Sequence, residues 1–275
     1  MFGNNRGGAS SKLLIALVLA GFALGKYYCN SSYNDITGEK QHLSLSPDQE
    51  IAMGLQSAPQ MIAEMGGAVE GTAYDALVDR VGRALVEKSD AAKTAYRGRF
   101  QFHLLNDQRT INAFALPGGQ IFITAALLAR LSTDGKSINE DMLAGVLGHE
   151  IGHVVARHSA EKLAQMELAQ GLTGAVSMAT YDPGSPSSGA YIAQMVSNMM
   201  QLKYGRDQEL QSDDLGVRFM LQAGYDPEQL IHVMEVLKQA AGPNRTPEFQ
   251  STHPDPENRK EHIQEAIRKY RGGAQ

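Results

Sequence analysis

Residues 140–169 form the most strongly helical stretch of the chain, and they carry His149-Glu150-Ile151-Gly152-His153 within them. On a helix these two histidines fall at i and i+4, one turn apart on one face, where a single metal ion can take both. Glu150, next along the turn, can reach a water on that metal and accept its proton as the water attacks a carbonyl. Chance produces such a pattern in roughly one comparable sequence in a hundred, so the flanking segments decide what it means.

A catalytic zinc takes three protein ligands and leaves a fourth position for water. Glu209 is the expected third donor. It lies in Arg206-Asp207-Gln208-Glu209-Leu210-Gln211-Ser212-Asp213, where Glu209 and Asp213 are again i and i+4 on a helix. Asp213 is then expected to accept the free ring N–H of a ligating histidine, fixing its tautomer and raising its basicity. Asp214 points about 100° away from Asp213 and takes neither role.

The rest of the chain reads as anchor, linker and scaffold. Arg6 and Lys12 precede the apolar run at 13–25, which has signal-sequence form but is shorter than a full span of about 20 residues. No small-x-small cleavage site follows, so an uncleaved signal-anchor over residues 1–28 is expected, with the N-terminus cytoplasmic and the bulk of the chain outside, periplasmic or envelope-facing. Cys29, the single cysteine, is flanked by Tyr27 and Tyr28, too bulky for a lipid-attachment site. A net charge of -5 offers no basic field for a phosphate backbone, which excludes nucleic acid as a partner.

Residues 29–45 are polar and turn-rich and read as a linker to a domain at 46–275. Within that domain, spacing and capping predict helices over 46–65, 74–88, 125–131, 140–169, 206–223, 227–240 and 256–270, with strands at 99–105 and 120–124 separated by a loop at 106–119. Residues 171–190 cannot be one continuous helix, because Asp182-Pro183-Gly184 breaks it; they read as a mobile insertion, beside which Met195, Met199 and Met200 are placed as a lid.

Four blocks in this order, Asn112-Ala113-Phe114-Ala115-Leu116-Pro117-Gly118-Gly119, Gly148-His149-Glu150-Ile151-Gly152-His153 running on to Arg157-His158, the segment 206–213, and Ser251-Thr252-His253-Pro254, resemble metallopeptidase family forty-eight, the HtpX-, BepA- and Oma-like zinc metallopeptidases. The resemblance implies an α+β, mostly helical gluzincin fold with a small β-sheet beside the active-site helix. It implies one Zn2+ per chain on His149, His153 and Glu209, with Glu150 as general base and Asp213 supporting the site. His253 is implied near the metal, as a removable fourth ligand or facing the substrate oxyanion, and Arg206 is a further active-site candidate. Asn112, Ala113, Phe114, Ala115 and Leu116 are expected to form a sheet edge to which an extended substrate adds a strand.

The activity implied is a hydrolase, a protease of misfolded or membrane-associated proteins serving quality control in the cell envelope. A non-proteolytic chaperone or assembly factor that keeps the metal fold is the alternative, and an intact Glu150 with complete ligands favours the enzyme. BepA-like members continue into tetratricopeptide repeats and HtpX-like members carry several spans. Neither pattern is visible here, so a single-domain, envelope-facing member is expected. His158 is expected to play a structural part beside the site, and His42, His103, His232 and His262 to be ordinary.

Overall fold

The computed structural model describes residues 6–132, 135, 137–180, 204–240, 248–253 and 258–272. The chain divides into two compact units, one made of Met1–Ser46 with Ala160–Asn198 and the other of Pro47–Ser159 with Met199–Gln275.

The first described element is helix α1 (Arg6–Cys29), and a hairpin of β1 (Ser31–Asn34) and β2 (Glu39–His42) follows it. Among the described residues, Ser11–Cys29 is the one helix long and apolar enough to cross a membrane. The expected linker thus contains a paired hairpin. Its strands are four residues each and polar, so no apolar alternation marks them.

In the second unit, α2 (Pro47–Glu64) and α3 (Ala73–Glu87) precede β3 (Gln101–Leu105), β4 (Ala113–Leu116) and β5 (Gln120–Thr124). The sheet order is β3-β5-β4, with β3 parallel and β4 antiparallel to β5, so β4 is an edge strand. The turn between β4 and β5 needs glycine: Gly118 has φ 78°, and a Cβ there would lie 2.3 Å from the Cα of Ile51 on α2. Helix α4 (Ala125–Arg130) follows, its first turn capped by Thr124.

Helix α5 (Glu140–Val155) starts at Asn139, whose side chain accepts from the Met142 N–H at 3.1 Å. Every residue from Met142 to Val155 is buried. An all-round apolar helix can only be central, and α5 is packed by α3, β4, α7 (Arg206–Ala223) and α8 (Gln229–Ala240). Helices α9 (Glu248–Thr252) and α10 (Arg259–Gly272) complete this unit. The predicted α+β, mostly helical architecture with a small sheet beside the motif helix is what forms.

The α5–α7 crossing sets the site, and small residues make it close. A Cβ on Gly152 would stand 2.9 Å from the Ser212 carbonyl oxygen, and one on Gly216 would stand 3.2 Å from the Gly148 carbonyl carbon. Gly152→Ala is therefore expected to lower stability by about 1–3 kcal/mol through overpacking, despite alanine's better helix propensity. Urea unfolding checks this; an unchanged midpoint would contradict the close crossing.

The helix predicted over 140–169 is two helices. Helix α5 stops at Val155 and α6 (His158–Thr180) begins after Arg157, the one non-glycine residue with positive φ among those described, at 58°. The Arg157 guanidinium binds buried Glu50 of α2, which also accepts from Tyr96 Oη at 3.0 Å. This long-range ion pair holds a backbone turn that arginine does not favour locally. Helix α6 continues to Thr180, just short of Asp182-Pro183-Gly184, so residues 171–180 of the expected insertion are helical. The remainder of that insertion and the Met195, Met199 and Met200 lid lie outside the described residues.

Candidate metal centre

Helix α5 aims His149 and His153 at α7, where Glu209 and Asp213 face them from positions one turn apart. His253, just past α9, enters from the other side. Each of these residues and Glu150 is at most 1% exposed. One donor atom from each of His149, His153, Glu209 and His253 lies within 4.8 Å of all the others.

The separations test whether a metal fits. Bonds of about 2.1 Å in a tetrahedron place ligand atoms about 3.4 Å apart. His149 Nε2 lies 3.1 Å from His153 Nε2 and 3.5 Å from Glu209 Oε2; His153 Nε2 lies 3.4 Å from Glu209 Oε1. His253 Nδ1 is 3.3 Å from His149 Nε2 and 3.1 Å from Glu209 Oε1. The spacing is compatible with a single metal ion held between these residues.

Lone pairs also converge here without donors. His149 Nδ1 lies 2.8 Å from Asp213 Oδ1, and donation to that carboxylate turns the Nε2 lone pair toward the cluster. Among the described residues, both carboxylate oxygens of Glu150, Oε2 of Glu209 and Nε2 of His253 have no hydrogen-bond partner. Unpaired buried polar atoms are costly; a cation at the cluster offsets the cost for the carboxylate oxygens, whereas His253 turns Nδ1 to the cluster and Nε2 toward Glu150 Oε1, 3.6 Å away. Charge agrees: three carboxylates (Glu150, Glu209 and Asp213) face one guanidinium, Arg259, leaving the equivalent of a divalent ion to be supplied.

The acid–base balance follows from this crowding. Burial pushes Glu209 up, but His253, His149 and His153 outweigh it and hold the carboxyl well below its usual range. Asp213 is likewise lowered, burial being overcome by Arg259 and His149. Burial raises Glu150 and drives His153 well below the ordinary imidazole value. Burial and Arg259 press His149 down, yet hydrogen bonds to Asp213 and Glu209 leave it raised to about 9. The positive charge that these carboxylates draw onto His149 as a proton is the charge a metal ion replaces.

A second layer of side chains fixes the donors. Arg259, 2% exposed, donates from Nε to Asp213 Oδ2 at 2.5 Å and from Nη2 to Oδ1 at 2.9 Å, and its Nη1 stands 3.4 Å from Glu209 Oε2. His158, pushed down to about 4 by burial, places Nδ1 2.8 Å from His153 Nδ1 and Nε2 2.8 Å from Gln211 Oε1. Tyr204 stacks on His153 with ring centroids 3.9 Å apart, its hydroxyl 3.0 Å from Ser159 Oγ; Phe249 stacks on His253 at 4.5 Å.

Arg206 does not join the cluster. It is the exposed first residue of α7, and Nη2 donates to Asn258 Oδ1 at 3.0 Å. The arginine that reaches the cluster is Arg259, which motif reasoning missed. A signal existed: Arg259 shares spacing i, i+4, i+7, i+8 with Ile263, Ala266 and Ile267, all buried, so it sits in the apolar stripe of α10. His103 and His232 hydrogen-bond Gln120 and Glu235.

Beside the cluster lies a cleft of about 220 Å³, bounded by Asn112, Phe114, Ala115 and Leu116 with Tyr204 and His253. The remaining expected groove residue, Ala113, is fully buried and does not line it. Helix α9 meets this edge through the Phe249 N–H, which donates to the Ile111 carbonyl at 3.2 Å.

The profile of peptidase family M48 matches residues 73–267. The chain is 27% identical over 259 residues to the beta-barrel assembly-enhancing protease of Escherichia coli (strain K12), covering 90% of this chain and 50% of that protein. It is 29% identical to the mitochondrial metalloendopeptidase OMA1 of Schizosaccharomyces pombe, over 87% of this chain and 67% of the other. It is 25% identical to the metalloprotease YcaL of Escherichia coli (strain K12), over 82% of each. The chain thus spans about half the length of the assembly-enhancing protease it matches. A profile match running from α3 into α10, with all the residues of the cluster inside it, means that the chain belongs to peptidase family M48.

Proposed function

We propose that this chain is a zinc-dependent endopeptidase that cleaves misfolded or membrane-associated proteins in the cell envelope, with His149, His153 and Glu209 as metal ligands and Glu150 as general base. The observation that carries this reading is the convergence of four buried donors at tetrahedral separations beside a carboxylate, Glu150, with no hydrogen-bond partner among the described residues. A divalent cation held there supplies Lewis acidity, polarising a scissile carbonyl and making water a nucleophile near neutral pH.

This chain's own side chains do the rest. Glu150 accepts the proton of the attacking water and delivers it to the leaving amine. Asp213 orients His149, and Arg259 holds Asp213 in place. The edge of β4, which pairs with no second strand among the described residues, offers main-chain bonds to an extended substrate, which demands little of its side chains and suits unfolded protein. The similarity to a beta-barrel assembly-enhancing protease and to a mitochondrial metalloendopeptidase supports protein substrates. Helix α1, long and apolar enough to cross a membrane, supports an anchored enzyme, and Arg6 and Lys12 before its apolar run favour a catalytic unit outside the cytoplasm. Cleavage of unfolded casein by the detergent-purified full chain, inhibited by chelation and restored by zinc, tests the reading; cleavage indifferent to chelation would contradict it.

His253 contributes a fourth donor, and four donors close a metal site that catalysis needs open. It therefore keeps the resting enzyme latent and leaves on activation. His253→Ala is expected to raise basal casein cleavage several-fold. A fall in activity instead would assign His253 to catalysis or substrate positioning.

A further inference from the structure

Helix α6 packs against α1 within the first compact unit. Glu167 pairs with Lys26 at 2.8 Å, and a Cβ on Gly171 would lie 2.9 Å from that of Ala23. Going forward along α6 corresponds to going backward along α1, so the two helices run antiparallel. Phe22, Tyr27 and Leu168 line an apolar pocket between them.

The charge boundary falls at the same level on both helices. On α1 no charged residue lies between Lys12 and Lys26. On α6, Glu161, Lys162 and Glu167 come before the boundary, and none follows as far as Thr180; in sequence, Asp182 is the only charged residue between Glu167 and Lys203. The two boundary residues, Lys26 and Glu167, are the ones that pair. Past that pair, α6 approaches α1 again at Gly171 and Ala23, next to exposed Phe22 of the apolar run 13–25. At 1.5 Å per residue, residues 168–180 of α6 span roughly 20 Å. Close approach through glycine and alanine is how helices pair where lipid removes any hydrophobic drive.

We infer that residues 168–180 of α6 enter the lipid hydrocarbon beside α1, so that two helices hold the chain in the membrane. The inference rests on reading α1 as the membrane anchor.

The chain contains no tryptophan, so single reporters can be placed in the full-length protein reconstituted into phosphatidylcholine and phosphatidylglycerol vesicles with brominated acyl chains. Leu172→Trp is expected to lose as much fluorescence to the bromines as Phe22→Trp, while Tyr74→Trp, exposed in the other unit, keeps its emission. Gln170→Trp, at an exposed position of α6, gives the same comparison if Leu172→Trp does not fold. Quenching of Phe22→Trp alone overturns the inference and leaves the anchor standing. Emission at Phe22→Trp and at the α6 reporters no more quenched than at Tyr74→Trp overturns both.

Discussion

Replacing Glu150 by glutamine is expected to lower casein cleavage by about 10²–10⁴-fold while zinc stays bound. Glutamine keeps the shape of the side chain in a space with no exposure to solvent, but its amide cannot accept a proton from water. Neither carboxylate oxygen has a hydrogen-bond partner among the described residues, so the substitution breaks no hydrogen-bond network and a loss of activity reports on proton transfer. His253 Nε2 lies 3.6 Å from Glu150 Oε1. A variant that cleaves as fast as the wild type would remove Glu150 from the mechanism.

The second large effect is expected at the buried Arg259–Asp213 pair. Both residues are at most 2% exposed, and the guanidinium makes two hydrogen bonds to the carboxylate. Removing one partner of such a pair leaves the other charged and buried, which costs about 3–5 kcal/mol. Arg259→Leu is therefore expected to lower unfolding stability by that amount. The double variant Arg259→Leu/Asp213→Leu should recover much of it, because neither member of the pair is left without the other, while Glu209 keeps His149, His153 and His253 beside it. Zinc affinity should not recover with stability, since loss of the carboxylate that orients a ligating histidine typically costs about 10–100-fold in affinity. Denaturant unfolding and zinc competition titration separate the two effects. A single variant as stable as the wild type would show that Arg259 does not compensate Asp213.

What the sequence made legible was local and periodic. His149 and His153 share a helix face because they are one turn apart, and Glu209 and Asp213 repeat that spacing, so all four converge as expected. What it hid was decided at long range. The break between α5 and α6 carries no glycine or proline; it is held by Glu50, which lies 107 positions from Arg157 in the chain. By periodicity strand β4 lay inside a predicted loop, because Ala113, Phe114, Ala115 and Leu116 are too short and too uniformly apolar to show a period of two; only the family resemblance marked them as a sheet edge. Arg206 looked better placed than Arg259 because it lies three residues from a ligand candidate. As the first residue of α7 it is exposed, whereas Arg259 lies 46 positions from Asp213 and reaches it from α10. Sequence proximity to a ligand was a poor guide to burial, and the apolar stripe of α10 was the better one.

The central claim is that His149, His153 and Glu209 hold one metal ion that Glu150 serves. Elemental analysis of the full chain purified without added zinc tests it directly. The account predicts about one zinc per chain in the wild type and in Glu150→Gln, and loss of that zinc in His149→Ala/His153→Ala. A wild-type chain without metal, or a double histidine variant that retains the same amount, would contradict it.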